Sequence, residues 1–192
     1  MTAVRRTRRG VVVSFDEVEA SLLRHLVGEV RDLLTDGEED LLPAVRTGGS
    51  GPGLPTDAEL SALTGRAGVV DAETPDAPAL ARLLPDAYRD DPDAAGEFRR
   101  LTEGSLRRDK VGAAERLLAT LPDEGPGEVR LDPENTELWL STINDVRLAL
   151  GTRLEVTEEM AEPDPDDPDA PAYVVYLWLT ELQGVLIEVA DE

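Results

Sequence analysis

Phe15, Val18, Leu22, Leu26, Val30 and Leu33 recur every three or four residues, a spacing that lines one face of a helix and predicts one ending near Thr35. Ser14, followed three residues on by Glu17, carries the capping-box signature that opens such a helix. Trp139, Ile143, Val146 and Leu150 repeat the pattern. Asp132-Pro133 marks its start, with Asp as N-cap and Pro at the first helical position, and Gly151 suits a left-handed stop. From Asp93 to Leu121 the chain reads as one long helix that ends before Pro122, roughly 40 Å if straight. Gly104 and Gly112 predict a bend or break in it. Ala79 to Leu84 gives a turn or two of helix and Asp57 to Leu63 another short one. The closing AYVVYLWLTELQGVLIEVA reads as a buried helix, although its Tyr-Val-Val-Tyr opening suits a strand over 172–189 equally well.

Three runs have strand character: Val11-Val13, Glu128-Leu131 and Arg153-Thr157. The fold class that follows is mainly α, an irregular bundle of about five to six helices with a small two- or three-stranded sheet built from those runs. Residues 36–57, with glycine and proline clustered from Gly48 to Pro55, read as a flexible loop. So do residues 158–171, which hold acids and prolines and no basic residue. Residues 1–10, with Arg5, Arg6, Arg8 and Arg9, read as a basic arm. There is no internal repeat, and 192 residues suit a single domain over 1–192 with a real core.

Charge narrows the partners. The formal net charge is −22, from 41 acidic against 19 basic residues, so the average surface repels phosphate and anionic lipid. All the basic residues but Lys110 are arginine. The chain contains no cysteine, which removes disulfides, thiolate nucleophiles and cysteine-based metal sites. The apolar run near the start is three residues long, and no stretch approaches about 18 apolar residues. The expectation is therefore a cytoplasmic protein with no membrane partner.

No motif for chemistry survives inspection. The acidic 158–171 segment fails as an EF-hand loop: counted from Asp164, it has Pro168 at the fifth position, Asp169 where glycine is needed and Val175 at the twelfth. The glycine run Gly48 to Gly53 lacks the Gly-Lys-Ser/Thr of a phosphate loop. His25 is the only histidine and reads as a boundary residue beside the apolar face of the first helix. No catalytic, cofactor or metal residue is assigned. The most basic stretch, EFRRLTEGSLRRDK, holds Arg99, Arg100, Arg107, Arg108 and Lys110. Flanking acids are expected to neutralise it, and no aromatic residues interleave for base stacking, which disfavours nucleic acid. Trp139 and Trp178, with Tyr173 and Tyr176, read first as core anchors and second as an aromatic patch for a partner helix.

Three segments carry a family resemblance: RLLPDAYRDDPDAAGEFRRLTEGSLRRDKVGAAERLL (82–118), WLSTINDVRLALGTRLEV (139–156) and YVVYLWLTELQGVLIEVA (173–190). Together with the Phe15 helix they resemble a largely actinobacterial family, domain of unknown function 2017. The resemblance implies that Arg82, Glu97, Arg99 and Arg147 occupy the family's recurring charged positions, with Glu97 expected to pair with one of these arginines between helices. Family genes often lie near those for a Clp protease adaptor and a sulfur-carrier cysteine pathway, and some members bear a transcriptional-regulator label. The functional expectation is a non-catalytic helical adaptor or regulator working through protein contacts, the partner's link to Clp proteolysis being what gene neighbourhood implies. The alternatives are a DNA-binding transcriptional regulator using the Arg5 to Arg9 arm or the Arg99 to Lys110 helix, and a small-molecule or metal-dependent enzyme.

Overall fold

The computed structural model describes residues 2–36, 78–85, 92–123, 125–157 and 167–191, with the side chains of residues 36 and 92–101 outside that description. Two strands, β1 (Ala3–Thr7) and β2 (Gly10–Phe15), form a hairpin, and β3 (Gly127–Leu131) pairs with the far edge of β2. The sheet is antiparallel in the order β1-β2-β3. Thr7 faces Gly10, so Arg8 and Arg9 alone make the turn. Gly10 has φ +127°, and a Cβ there would sit 2.0 Å from the Leu131 carbonyl oxygen. Only glycine fits that position.

The register sets Val11 opposite Leu131 and Val13 opposite Val129, so one face of the sheet carries these four residues and Phe15, all buried. Five helices complete the fold, α1 (Glu17–Asp36), α2 (Pro78–Leu83), α3 (Pro92–Thr120), α4 (Pro133–Arg153) and α5 (Ala170–Asp191); α1, α4 and α5 pack against the sheet, α2 packs on α4, and α3 on α1 and α4. The central element is α4, which α1, α2, α3, α5, β2 and β3 all contact. It opens as its sequence requires: the Asp132 side chain accepts from the Asn135 N–H at 2.9 Å, with proline in the first turn. Trp139, Ile143, Val146 and Leu150 are buried, and so is a second line of Leu138, Thr142, Asp145 and Ala149. Trp139 is wholly enclosed. Its ring stacks on Phe15 at 5.9 Å, and its indole N–H donates to the Thr120 hydroxyl at 3.2 Å.

Mainly helical architecture with a small sheet matches the expectation, and the closing segment is helix throughout. Several local expectations need correction. Arg153-Thr157 is not a strand: α4 runs through Arg153, the Leu154 N–H bonds back to the Leu150 carbonyl at 2.9 Å, and Leu154 is buried. Packing against α5 carries the helix past Gly151, where a Cβ would meet the Tyr176 ring at 3.0 Å. Gly151 thus serves close approach, and the left-handed residue is Glu155 at φ 51°. The third strand comes instead from β1, inside the stretch expected as a basic arm.

The α1 cap is Asp16, not Ser14. Asp16 N–H donates to a Glu19 carboxylate oxygen at 3.0 Å, and Glu19 N–H to Asp16 Oδ1 at 2.9 Å, a reciprocal capping box. Ser14 lies in β2, whose ladder runs on to Phe15. Gly104 and Gly112 do not break α3, because both face open space and the helix bonds continue past them. Finally, α5 is long and apolar enough, by length and composition alone, to cross a membrane, where no such stretch was expected. The run tolerates Thr180, Glu181 and Gln183 among its apolar residues. The short helix expected over Asp57 to Leu63, the Gly48 to Gly53 run and most of the two expected loops lie outside the described residues.

Two glycine substitutions should move stability in opposite directions. Gly10→Ala introduces both the clash with Leu131 and a disfavoured φ, and should lower the unfolding free energy by at least about 1–3 kcal/mol. Gly104→Ala, in an exposed stretch of continuous helix, should raise it by about 0.5–1 kcal/mol. Urea unfolding followed by circular dichroism measures both.

Candidate interaction surface

Helix C-termini expose carbonyls that no residue of the same helix satisfies, and they attract cations. The last turns of α1, α3 and α5 contain no basic residue. Each is served by an arginine from elsewhere. Arg107 of α3 donates to the Leu34 carbonyl of α1 at 2.7 Å. Arg24 of α1 donates to the carbonyls of Leu121 and Pro122 just past α3. Arg6 of β1 donates to the Val189 and Ala190 carbonyls of α5 at 3.0 and 2.6 Å. The other two helices carry their own, Arg82 in α2 and Arg153 in α4.

Several of the remaining described cations meet carboxylates, while Arg108 donates to the Gly104 carbonyl of its own helix at 2.9 Å. Arg5 pairs with Glu128 across the outer face of the sheet at 2.9 Å and holds the Glu128 carboxyl below its ordinary value. Arg31 pairs with Asp32, Arg107 also with Glu103, and Arg116 with Glu134. The deepest pair joins α3 to α4: Lys110 Nζ donates to both carboxylate oxygens of Asp145 at 2.6 and 2.8 Å. Burial pushes the Asp145 carboxyl up, and the Lys110 ammonium opposes that shift. The single lysine of the chain therefore neutralises an acid on the buried side of the central helix.

Arg147 is treated differently. It reaches from α4 to α5, where its Nε donates to the Thr180 hydroxyl at 3.0 Å and its Nη1 to the Gln183 side-chain oxygen at 2.5 Å. Its guanidinium lies over the Tyr176 ring, 5.5 Å from the centroid. Both acceptors have their own donors committed, Thr180 to the Tyr176 carbonyl and Gln183 to the Leu140 carbonyl. Among the described residues, then, Arg147 is held by neutral groups alone, and its charge is positioned without being cancelled.

Around it lies the exposed apolar surface. Leu148 follows Arg147 on α4 at 37% exposure, and α5 shows Leu177 at 42% and Ile187 at 46%. Tyr173, Leu177, Thr180, Gly184 and Ile187 fall at spacings of four and three along one side of α5, and a Cβ added at Gly184 would meet nothing within 4 Å. One cleft beside this helix, lined by Thr2, Val4, Glu19, Trp178, Glu181, Leu182 and Val185, encloses about 60 Å³, well short of the roughly 300–1,000 Å³ of small-molecule sites. Among the described residues no group of three or more histidines and acids is placed to hold a metal ion.

The residues singled out from sequence therefore scatter. Trp139 is core. Trp178 is half-buried on α5 with its indole N–H on the Thr2 hydroxyl at 3.2 Å, and Tyr173 and Tyr176 stack at 6.2 Å. Arg82 is exposed at the end of α2. Glu97, Arg99 and Arg100 lie in the first part of α3, where the side chains are outside the described residues, and with them the expected Glu97–arginine pair. His25 is mostly buried, which lowers its pKa from the ordinary 6.5, and its Nε2 has no hydrogen-bond partner. Sequence reasoning missed the Lys110–Asp145 pair and the three borrowed arginine caps. A trace of the first was visible, since Asp145 falls in line with Leu138, Thr142 and Ala149.

The model of the family described as Domain of unknown function (DUF2017) matches residues 1–190. Among curated proteins, the oxidative stress regulator AosR of Mycobacterium tuberculosis and that of Mycobacterium bovis are each 37% identical over 184 residues, covering 88% of this chain and 77% of the relative. A relative in Mycobacterium leprae is 36% identical over the same length. No solved structure matches the chain.

Lys110→Met strands the Asp145 charge and should cost about 3–5 kcal/mol, whereas Lys110→Met with Asp145→Leu should regain most of that loss; a double-mutant cycle of urea unfolding checks it. Because burial lowers the His25 pKa, the unfolded chain binds more protons than the folded one once pH drops below 6.5, and folding free energy is lost on the acid side. His25→Leu should flatten the stability–pH curve below that value and leave its shape above it unchanged.

Proposed function

As the chain belongs to the family named domain of unknown function 2017, and is more than a third identical to proteins named oxidative stress regulators, we propose that it is a non-catalytic regulator acting by contact with another protein. The observation that supports this most directly is the disposition of its cations. Arg6, Arg24, Arg107 and Lys110 are spent on helix ends or on a buried acid, while Leu148, Leu177 and Ile187 face solvent. Attraction between this molecule and another is then supplied by apolar area and shape, against a background charge of −22.

A regulator of an oxidative response needs an input. With no cysteine in these 192 residues, thiol–disulfide chemistry within the chain is excluded as that input. The oxidant signal reaches it through the protein it binds.

A second reading rests on Arg8 and Arg9, exposed side by side at the hairpin turn, which would serve phosphate contacts of a DNA-binding regulator. The two readings separate by salt. Phosphate contacts release counterions, so affinity falls by a log–log slope of about −0.9 per contact, while apolar docking by an acidic protein holds or strengthens as salt screens repulsion. Affinity capture from host lysate at physiological salt, with and without nuclease, should retain the same protein partner in both arms. Recovery that vanishes with nuclease, or duplex DNA binding with a steep negative salt slope, would overturn the protein-contact reading.

A further inference from the structure

We infer that the seam between α4 and α5 is the docking site, that its occupant is an amphipathic helix of another protein, and that Arg147 receives a carboxylate from that helix; this rests on the protein-contact reading above. Arg147 carries a charge that none of its described partners cancels. A guanidinium has five N–H donors and no acceptor. Two of the donors of Arg147 go to Thr180 and Gln183, oxygens whose own residues already donate to the Tyr176 and Leu140 carbonyls. Neither can turn away, so the fork is held in one orientation by partners that carry no charge. Arg5, Arg116 and Lys110 meet acids, Arg6 and Arg24 meet helix ends, and Arg108 bonds back to the Gly104 carbonyl of its own helix; Arg147 differs in being fixed between two helices by side chains that carry no charge. A planar fork held still, half-buried and short of an anion, is the geometry that recognises a carboxylate.

The surface beside it has the shape of a helix seat. Tyr173, Leu177, Thr180, Gly184 and Ile187 alternate steps of four and three, the repeat by which one helix lies along another. Gly184 opens the middle of that line, with nothing within 4 Å of an added Cβ, so a partner backbone can approach closely there. On the opposite margin stand exposed Glu181 and Glu188, and α5 contains no lysine or arginine. Charge complementarity therefore asks for an occupant with an apolar stripe, an acid on the side that meets Arg147 and basic residues on the side that meets Glu181 and Glu188. A second copy of this chain fits badly. Laid antiparallel, two such seams bring like-charged margins together, and in either orientation two chains of −22 repel each other.

The test uses the full chain with photoreactive p-benzoylphenylalanine in place of Leu177, and in a control in place of Arg130 on the exposed side of β3, crosslinked in host cells and mapped by peptide mass spectrometry. The expected product at 177, absent at 130, is a partner peptide with apolar residues at helical spacing, a flanking acid and flanking basic residues. Gly184→Leu fills the open middle of the seam without touching the fold, and Arg147→Met removes the fork. Each should weaken capture of that partner by roughly ten- to hundredfold, with Arg147→Lys intermediate, while thermal unfolding of Gly184→Leu stays at or above that of the parent. Crosslinks to a second copy, to lipid or to nucleic acid would overturn the inference. A partner captured equally well by Gly184→Leu and Arg147→Met would sink this site and leave the regulator reading standing. Recovery of no partner by any form would sink both.

Discussion

Unsatisfied carbonyls at the ends of helices, in a chain with few cations to offer them, impose the constraint on which this fold turns. A helix that ends without a basic residue of its own must find a donor elsewhere or leave its last carbonyls to water. Here α1, α3 and α5 all end that way, and Arg107, Arg24 and Arg6 answer them. The first two are reciprocal: α3 caps α1 and α1 caps α3, which ties the two helices together at both ends of their contact. Each such bond joins elements far apart in sequence, so the same arginines that complete secondary structure also fix tertiary arrangement.

The central helix sets the second constraint. Because α4 is packed by three helices on its flanks, by α5 and by two strands, it has little exterior on which to place polar residues. Asp145 faces inward and is sustained by Lys110. Arg147 sits where α4 and α5 part and finds neutral acceptors. Two charged residues two positions apart on one helix thus meet opposite fates, one neutralised in the interior and the other left charged at the margin.

How much of this was legible in the sequence follows from range. Asp132-Pro133 opens α4 as read, because a cap and a proline act on the next three or four residues. Trp139, Ile143, Val146 and Leu150 are core as read, since a helical period is local. Asp16 caps α1 although Ser14 carries the local signature, because the helical period continues back into β2 through Phe15, a residue apolar for the sheet's sake. Arg153-Thr157 reads as strand because nothing local shows that Tyr176, far along the chain, packs on Gly151, past which the helix runs on. The caps of Arg6, Arg24 and Arg107 bridge 184, 97 and 73 positions, and no spacing rule reaches that far. The charge margin at Arg147 was partly legible: the family resemblance marked the position, but only the hydroxyl and amide that hold it show that its charge stays uncancelled.

The contact from Arg6 to Val189 and Ala190 spans 183 and 184 positions, which bears on how the molecule is made. A ribosome delivers β1 long before α5, so the hairpin must stand with one side unclosed until that helix has been made. Nascent chains of this kind cannot complete their interior until both distant partners have emerged. During that interval Val4 and the inner side of β2 are open to whatever meets the emerging polypeptide, and the finished molecule exists only once its last helix has come round to its first strand.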